Sequence, residues 1–283
     1  MTTPYQQQAT YQQHGAPAGT YSSPIPVRSA HIGDALASEW TKIRSVRSTM
    51  WTLGVMIVLM IGIGLLSAVA VDKSDADLGD QSPLVLGFYG VLLGSICVVT
   101  LGVLTIASEF GTGMIRTTLT ACPGRARVLA AKAIVFFLLV FTLTTVLAGL
   151  VAALQNSIVT TGREADGEEW FRATVGVGLF IAVLGLLALA VGTIIRHSAG
   201  AITIMIGVML LPLVAAMFMF SPTLEDVRQA LLDYAVPSLL VAFYSEGALT
   251  DTGPTGWTPL GILLGVTAVA MAGAFFSLQK RDA

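Results

Sequence analysis

Residues 108–119 read Ser-Glu-Phe-Gly-Thr-Gly-Met-Ile-Arg-Thr-Thr-Leu. A carboxylate (Glu109), two glycines, an arginine (Arg116) and several hydroxyls in one short stretch can serve three kinds of chemistry. They can cradle a phosphate, transfer a proton or dock another surface. A Walker-type loop needs Gly-x-x-x-x-Gly-Lys-Ser/Thr, whose backbone amides and lysine hold the phosphates. No Gly-Lys pair occurs in the chain. The stretch follows no strand pattern, so the dinucleotide fingerprint fails as well. Acid–base work by Glu109 needs a partner within reach, and the sequence near it offers no second carboxylate or histidine. His14, His31 and His197 are scattered, and neither His-Glu-x-x-His nor Gly-x-Ser-x-Gly is present. Cys97 and Cys122 have no paired spacing and fit neither a disulfide framework nor a zinc site. No catalytic residue, metal or cofactor is therefore expected, and docking is the reading left standing.

The elements that must carry this stretch follow from composition. Of 283 residues, 54% are hydrophobic and 11% charged, where soluble domains carry about a quarter charged. The mean hydropathy of +0.79 comes from six runs free of Asp, Glu, Lys, Arg and His. They cover 51–71, 84–107, 133–154, 173–195, 199–220 and 257–278. Each is long enough to cross a hydrocarbon core of about 30 Å as a helix. Only Arg196, His197 and Ser198 separate the fourth from the fifth, which predicts a tight hairpin. No span carries an ionisable group, a mild argument against a proton- or sodium-driven carrier.

Orientation follows from the cations. With the N-terminus inside, Arg28, Lys42, Arg44, Arg47, Arg116, Arg125, Arg127, Lys132, Arg196, Lys280 and Arg281 are cytoplasmic. Only Lys73, Arg163, Arg172 and Arg228 lie outside, whereas most of the acids do. Both termini are expected in the cytoplasm, and Arg125, Arg127 and Lys132 are expected at the cytoplasmic mouth of the third span, in contact with lipid headgroups.

Three segments lie outside the spans. Residues 1–30, rich in Gln, Tyr, Pro, Gly and Ala with Arg28 as their one charge, form a disordered arm. Residues 31–50 form an amphipathic helix lying in the headgroup plane: Ile32, Leu36, Trp40, Ile43, Val46 and Met50 share one stripe. Glu39 projects inside that stripe and wants a partner, either Lys42 at i+3 or another protein. Residues 221–256 read as two short helices capping the outer face, too small to bury a core of their own. The fold class is an all-α integral membrane protein of six transmembrane helices. A six-span transmembrane domain over 31–283 follows the arm.

These features resemble the membrane subunit of type-2 ABC exporters, the permease family that includes daunorubicin-resistance-type and sodium-export-type systems. The resemblance rests on Glu39-x-x-Lys42 with Arg44 and Arg47 in the leading helix, and on the loop at 108–127. In many family members that loop reads Glu, three residues, then Gly-Thr-Ile-Arg-Thr-Thr-Leu, followed by Pro, Arg and a Lys opening the third span. Here the positions are Glu109, Gly113, Met114, Ile115, Arg116, Thr117, Thr118 and Leu119, then Pro123, Arg127 and Lys132. Met114 departs from the usual threonine. The resemblance implies a separate cytoplasmic ABC ATPase as partner and a second permease half, identical or similar. It also implies a coupling surface that includes Glu39, Lys42, Arg44, Glu109, Phe110, Gly113, Met114, Ile115 and Arg116. The expected setting is a bacterial cytoplasmic membrane, with the lipid bilayer as further partner and no nucleic acid. The competing reading is a non-transporting membrane scaffold or sensor that uses the arm at 1–30; a membrane enzyme ranks last.

Overall fold

The computed structural model describes residues 31–74, 76–121, 124–245 and 252–280; the side chains of Arg116, Leu119 and Ala121 also lie outside the described set. The expected arm at 1–30 and the turn residue Pro123 fall outside it. The described residues are helical and contain no strand. Six helices are long and apolar enough to cross a membrane: 47–74, 83–111, 125–158, 167–195, 198–217 and 258–280.

The first helix, α1 (Ile32–Ser45), is capped at its start by Asp34, whose carboxylate accepts the His31 backbone N–H at 3.0 Å. It ends where Val46 turns extended (φ −83°, ψ 114°), and α2 (Arg47–Ser74) starts at once. One residue thus redirects the chain from α1 into the first span. A 3-10 turn opened by Pro83 leads into α3 (Gly87–Gly111), which stops where Gly113 takes φ +72°. That left-handed conformation is open to glycine at little cost. The short α4 (Met114–Ala121) follows, then α5 (Arg125–Ile158), which starts two turns before the uncharged stretch and carries its cations inside the helix.

The fourth span is composite. Asp166 caps α6 (Gly167–Phe171) by accepting the Glu169 N–H at 2.7 Å, a π-helical turn follows at Arg172–Gly176, and α7 (Val177–Ile195) completes it. Arg196, at φ 58°, ends α7 and turns the chain into α8 (Ser198–Met217), so the expected hairpin is present. Two short helices, α9 (Glu225–Tyr234) and α10 (Val236–Val241), precede the last span, α11 (Thr258–Lys280). Pro237 sits in the first turn of α10, where its missing N–H costs nothing. The end of α10 dips into the core: Phe243 lies 5.5 Å from the Phe180 ring of α7.

The core centres on α3 and α7, the two most enclosed helices, with α2, α5, α8 and α11 around them. Lipid tails are as apolar as leucine, so packing between spans depends on close approach rather than on the hydrophobic effect. Glycine supplies that approach. A Cβ on Gly102 would sit 2.5 Å from the Gly185 carbonyl oxygen, and one on Gly90 would sit 2.6 Å from that of Met60. Both obstacles are backbone and cannot swing away. Further out, the amide of Gln155 on α5 donates to the Gly64 carbonyl of α2 at 2.8 Å inside the bundle.

Gly102→Ala is expected to cost about 1–3 kcal/mol through overpacking. Gly62→Ala, with nothing within 4 Å of the new Cβ, is expected to be neutral or stabilising. Thermal unfolding of both variants in detergent checks the contrast.

Candidate functional site

One end of the bundle holds four charged side chains in a closed ring. Lys42 donates to Glu39 Oε1 at 2.7 Å and to Glu109 Oε1 at 2.9 Å. Lys132 donates to Glu39 Oε2 at 2.5 Å and to the same Glu109 Oε1 at 2.9 Å. Each carboxylate therefore bridges both ammoniums, and the ring is neutral overall. Lys42 adds a bond to the Thr118 hydroxyl at 3.4 Å, so its three protons reach α1, α3 and α4. Lys132 comes from α5. Four helices meet at one knot of charge.

Burial makes the knot consequential. The side chain of Lys132 is 1% exposed and those of Glu39 and Glu109 5% and 6%, while Lys42 keeps 24%. An ammonium as deep as Lys132 needs counter-charges within reach, and two carboxylates face it. For Lys42, burial works against the charged form, but the hydrogen bonds and charges of Glu39 and Glu109 outweigh it and hold its pKa above the ordinary lysine value. Glu109 Oε2 is buried and accepts no hydrogen bond among the described residues. Beside the ring, a cleft of about 260 Å³ opens between the α1–α2 corner and the α3–α4 corner, with Lys42, Glu109, Ser48, Thr105 and Thr112 on its walls.

The structure sorts the residues singled out by sequence. Glu39, Lys42 and Glu109 come together. Phe110 does not join them; its ring lies under the Arg196 guanidinium, 4.9 Å from the centroid. Gly113 contributes its backbone turn. Ile115 is buried at 3%, tying α4 to the core, and Met114 is exposed. Arg44 is exposed. Arg116 belongs to α4, but its side chain lies outside the described set.

One ring member, Lys132, and the hydroxyl bonded to the ring, Thr118, were not singled out as functional from sequence. Lys132 is expected at a headgroup-facing mouth and is instead the deepest charge in the ring. The readable sign was its setting, Leu-Ala-Ala-Lys-Ala (129–133): small neighbours let helices close around it. Thr118 was matched only as a position in the loop motif, with no role attached. Other cations expected only to orient the chain also have structural partners. Arg125 donates to the carbonyls of Leu278 and Gln279 at 2.8 and 3.3 Å, and Arg196 donates to that of Ser277 at 3.4 Å. They thereby satisfy the terminal carbonyls of α11 and complement its dipole.

An uncharged, six-span bundle whose ionic chemistry is gathered at one end, around a leading helix and the loop after the second span, is the build of a transporter's membrane subunit. Residues 35–212 match the family described as ABC-2 family transporter protein. The chain belongs to that family and is a multi-pass permease component of an ABC transporter. No curated protein matches the chain at a significant level.

Lys132→Met is expected to cost about 3–5 kcal/mol, because it leaves buried carboxylates short of a counter-charge. Adding Glu39→Gln removes one orphaned charge and should restore part of the loss, read from thermal unfolding in detergent. The pH dependence of Lys42 runs in the alkaline direction. A raised folded-state pKa gives stability that is complete below the unfolded value of about 10.4. That stability is lost as pH rises through the higher folded value. The difference in melting temperature between wild type and Lys42→Met should therefore hold level from pH 7 to about 10 and shrink beyond it.

Proposed function

We propose that the chain is one half of an exporter, pairing with an identical or similar half to enclose the path and driven by a separate cytoplasmic ABC ATPase. Its ring end then faces the cytoplasm of a bacterial cell, with both termini on that side. The observation that carries this reading is the ring itself. A motor that pushes on the loop after the second span needs that loop joined firmly to more than one span. Here Glu109 and Thr118, on either side of the Gly113 turn, share one ammonium with α1, while Glu109 and Glu39 share the other with α5.

Within this reading Glu39, Lys42 and Glu109 transmit force. Gly113 sets the angle of α4, and Ile115 anchors it. Phe110 carries the motion toward Arg196, while Arg44, Met114 and Arg116 offer the surface the ATPase touches. ATP hydrolysis belongs to the partner. Closing the ATPase dimer would shift the two α1–α4 ends together and turn the path outward. Uncharged spans suit a hydrophobic or amphiphilic cargo better than a bare ion.

Co-purification from mild detergent should bring down an ABC ATPase. In the reconstituted complex, Arg116→Glu and Glu109→Gln should leave the protein inserted and the ATPase bound or turning over, while transport per ATP falls. Wild-type coupling in both variants would reduce the segment to a connector. A chain that reproducibly purifies without an ATPase would remove the exporter reading.

A further inference from the structure

On the other side of α1 from the ring lies a groove of about 600 Å³, within the size range of small-molecule sites, roughly 300–1,000 Å³. Leu36 and Trp40 of α1 form one wall; Ile134, Leu138, Thr142 and Val146 of α5 form the other. The α5 residues recur every four positions along the uncharged stretch of the third span, so the groove runs with the helix axis. From Ile134 to Val146 is about 18 Å at 1.5 Å per residue. That is close to the depth of one leaflet, half of the roughly 30 Å core.

We propose that this groove is a binding site for a single phospholipid, its acyl chain laid along α5 and its anionic headgroup held by arginines that follow the lining residues along both helices. Arg44 lies one turn beyond Trp40 on the α1 ridge, and Arg127 lies two turns before Ile134 on the α5 ridge; both are exposed. Arg44 has no ion-pair partner among the described residues. The guanidinium plane matches phosphate oxygens two at a time. Trp40, 45% exposed, has the amphipathic ring that settles at headgroup level.

The charge beyond its lining separates this site from an ordinary lipid-facing crease and from a contact with a second copy. A comparable groove of about 450 Å³ lies between α2 and α3, walled by Leu66, Tyr89 and Leu93, and neither groove is lined by a charged residue. The chain beyond the α2–α3 groove carries Asp72, Asp77 and Asp80 with Lys73, a net negative end, whereas the two ridges of the α1–α5 groove run on to arginines. A two-fold contact through the α1–α5 groove would set the same arginine ridges against each other. An anionic lipid meets both requirements at once: apolar along the wall and negative at the end. The site stands whether or not an ATPase drives the chain.

The test is photolabelling of the full chain in nanodiscs of phosphatidylcholine doped with phosphatidylglycerol bearing a diazirine on one acyl chain. Labelled peptides are then mapped by mass spectrometry. Label should concentrate on 36–40 and 134–146, several-fold above the α2–α3 groove. It should fall to the level of a phosphatidylcholine probe in the Arg44→Gln/Arg127→Gln double variant. Leu138→Trp, which narrows the groove without touching charge, should lower the label for both headgroups. Equal labelling of the two grooves, or no preference for the anionic probe, would reduce the site to annular lipid and overturn the proposal. Efficient disulfide cross-linking of a Leu138→Cys variant between copies, with weak labelling at 134–146, would assign the groove to a second copy and overturn it equally.

Discussion

A lysine ammonium carried out of water into a helix bundle is the constraint around which the charged end of this protein is arranged. Left without partners at the depth of Lys132, a buried charge costs several kcal/mol of lost hydration. Glu39 and Glu109 offset that cost, but they are themselves buried, and two carboxylates beside one ammonium would leave net negative charge. Lys42 cancels it from the partly exposed rim. The geometry follows from the arithmetic: two acids and two bases close a ring, and each charge fixes the positions of the others. The charges come from α1, α3 and α5, so these helices cannot shift independently without pulling buried ions apart.

Around the ring a second set of contacts draws in the remaining spans. Arg125 is on the same helix as Lys132 and bonds the last carbonyls of α11. Arg196, at the corner between α7 and α8, bonds another carbonyl of α11 and covers Phe110, the neighbour of Glu109. The spans are thus joined through charged groups at one end, while along their lengths they touch mostly through glycines and apolar side chains, with isolated hydrogen bonds such as Gln155 to Gly64. The ionic contacts between spans are concentrated at the ring end.

Sequence revealed most of this fold because a membrane imposes long uncharged helices, and their length and order are local properties. The Glu39–Lys42 pair was readable for the same reason, since i+3 spacing is geometry within one helix. Lys132 was not, because its partners are 23 and 93 positions away and nothing in its own helix requires them. The contacts of Arg125 and Arg196 were hidden for the same reason: the positive-inside pattern speaks only to the side of the membrane on which a cation is expected and leaves its contacts unspecified. Gln155 lay just past the expected end of the third span, and only the longer α5 brings it against Gly64. What remained hidden was in each case a contact between elements, visible only once the helices were placed.

The two sides of α1 bring these strands together. Glu39, turned inward, is fixed to Lys132 by the ring; Trp40, the next residue and about 100° further round the helix, faces the α1–α5 groove. A force that moved α1 through its carboxylate would therefore also shift Trp40 along the groove wall opposite Ile134 and Leu138. Whatever fills the groove resists or permits that motion. An occupied groove would brace α1 against α5 and make the ring end a single body, whereas an empty one would let α1 pivot about the extended residue Val46. On the proposed reading the leading helix is more than an anchor: a lipid in the groove would set how rigidly the ring end passes motion to the spans.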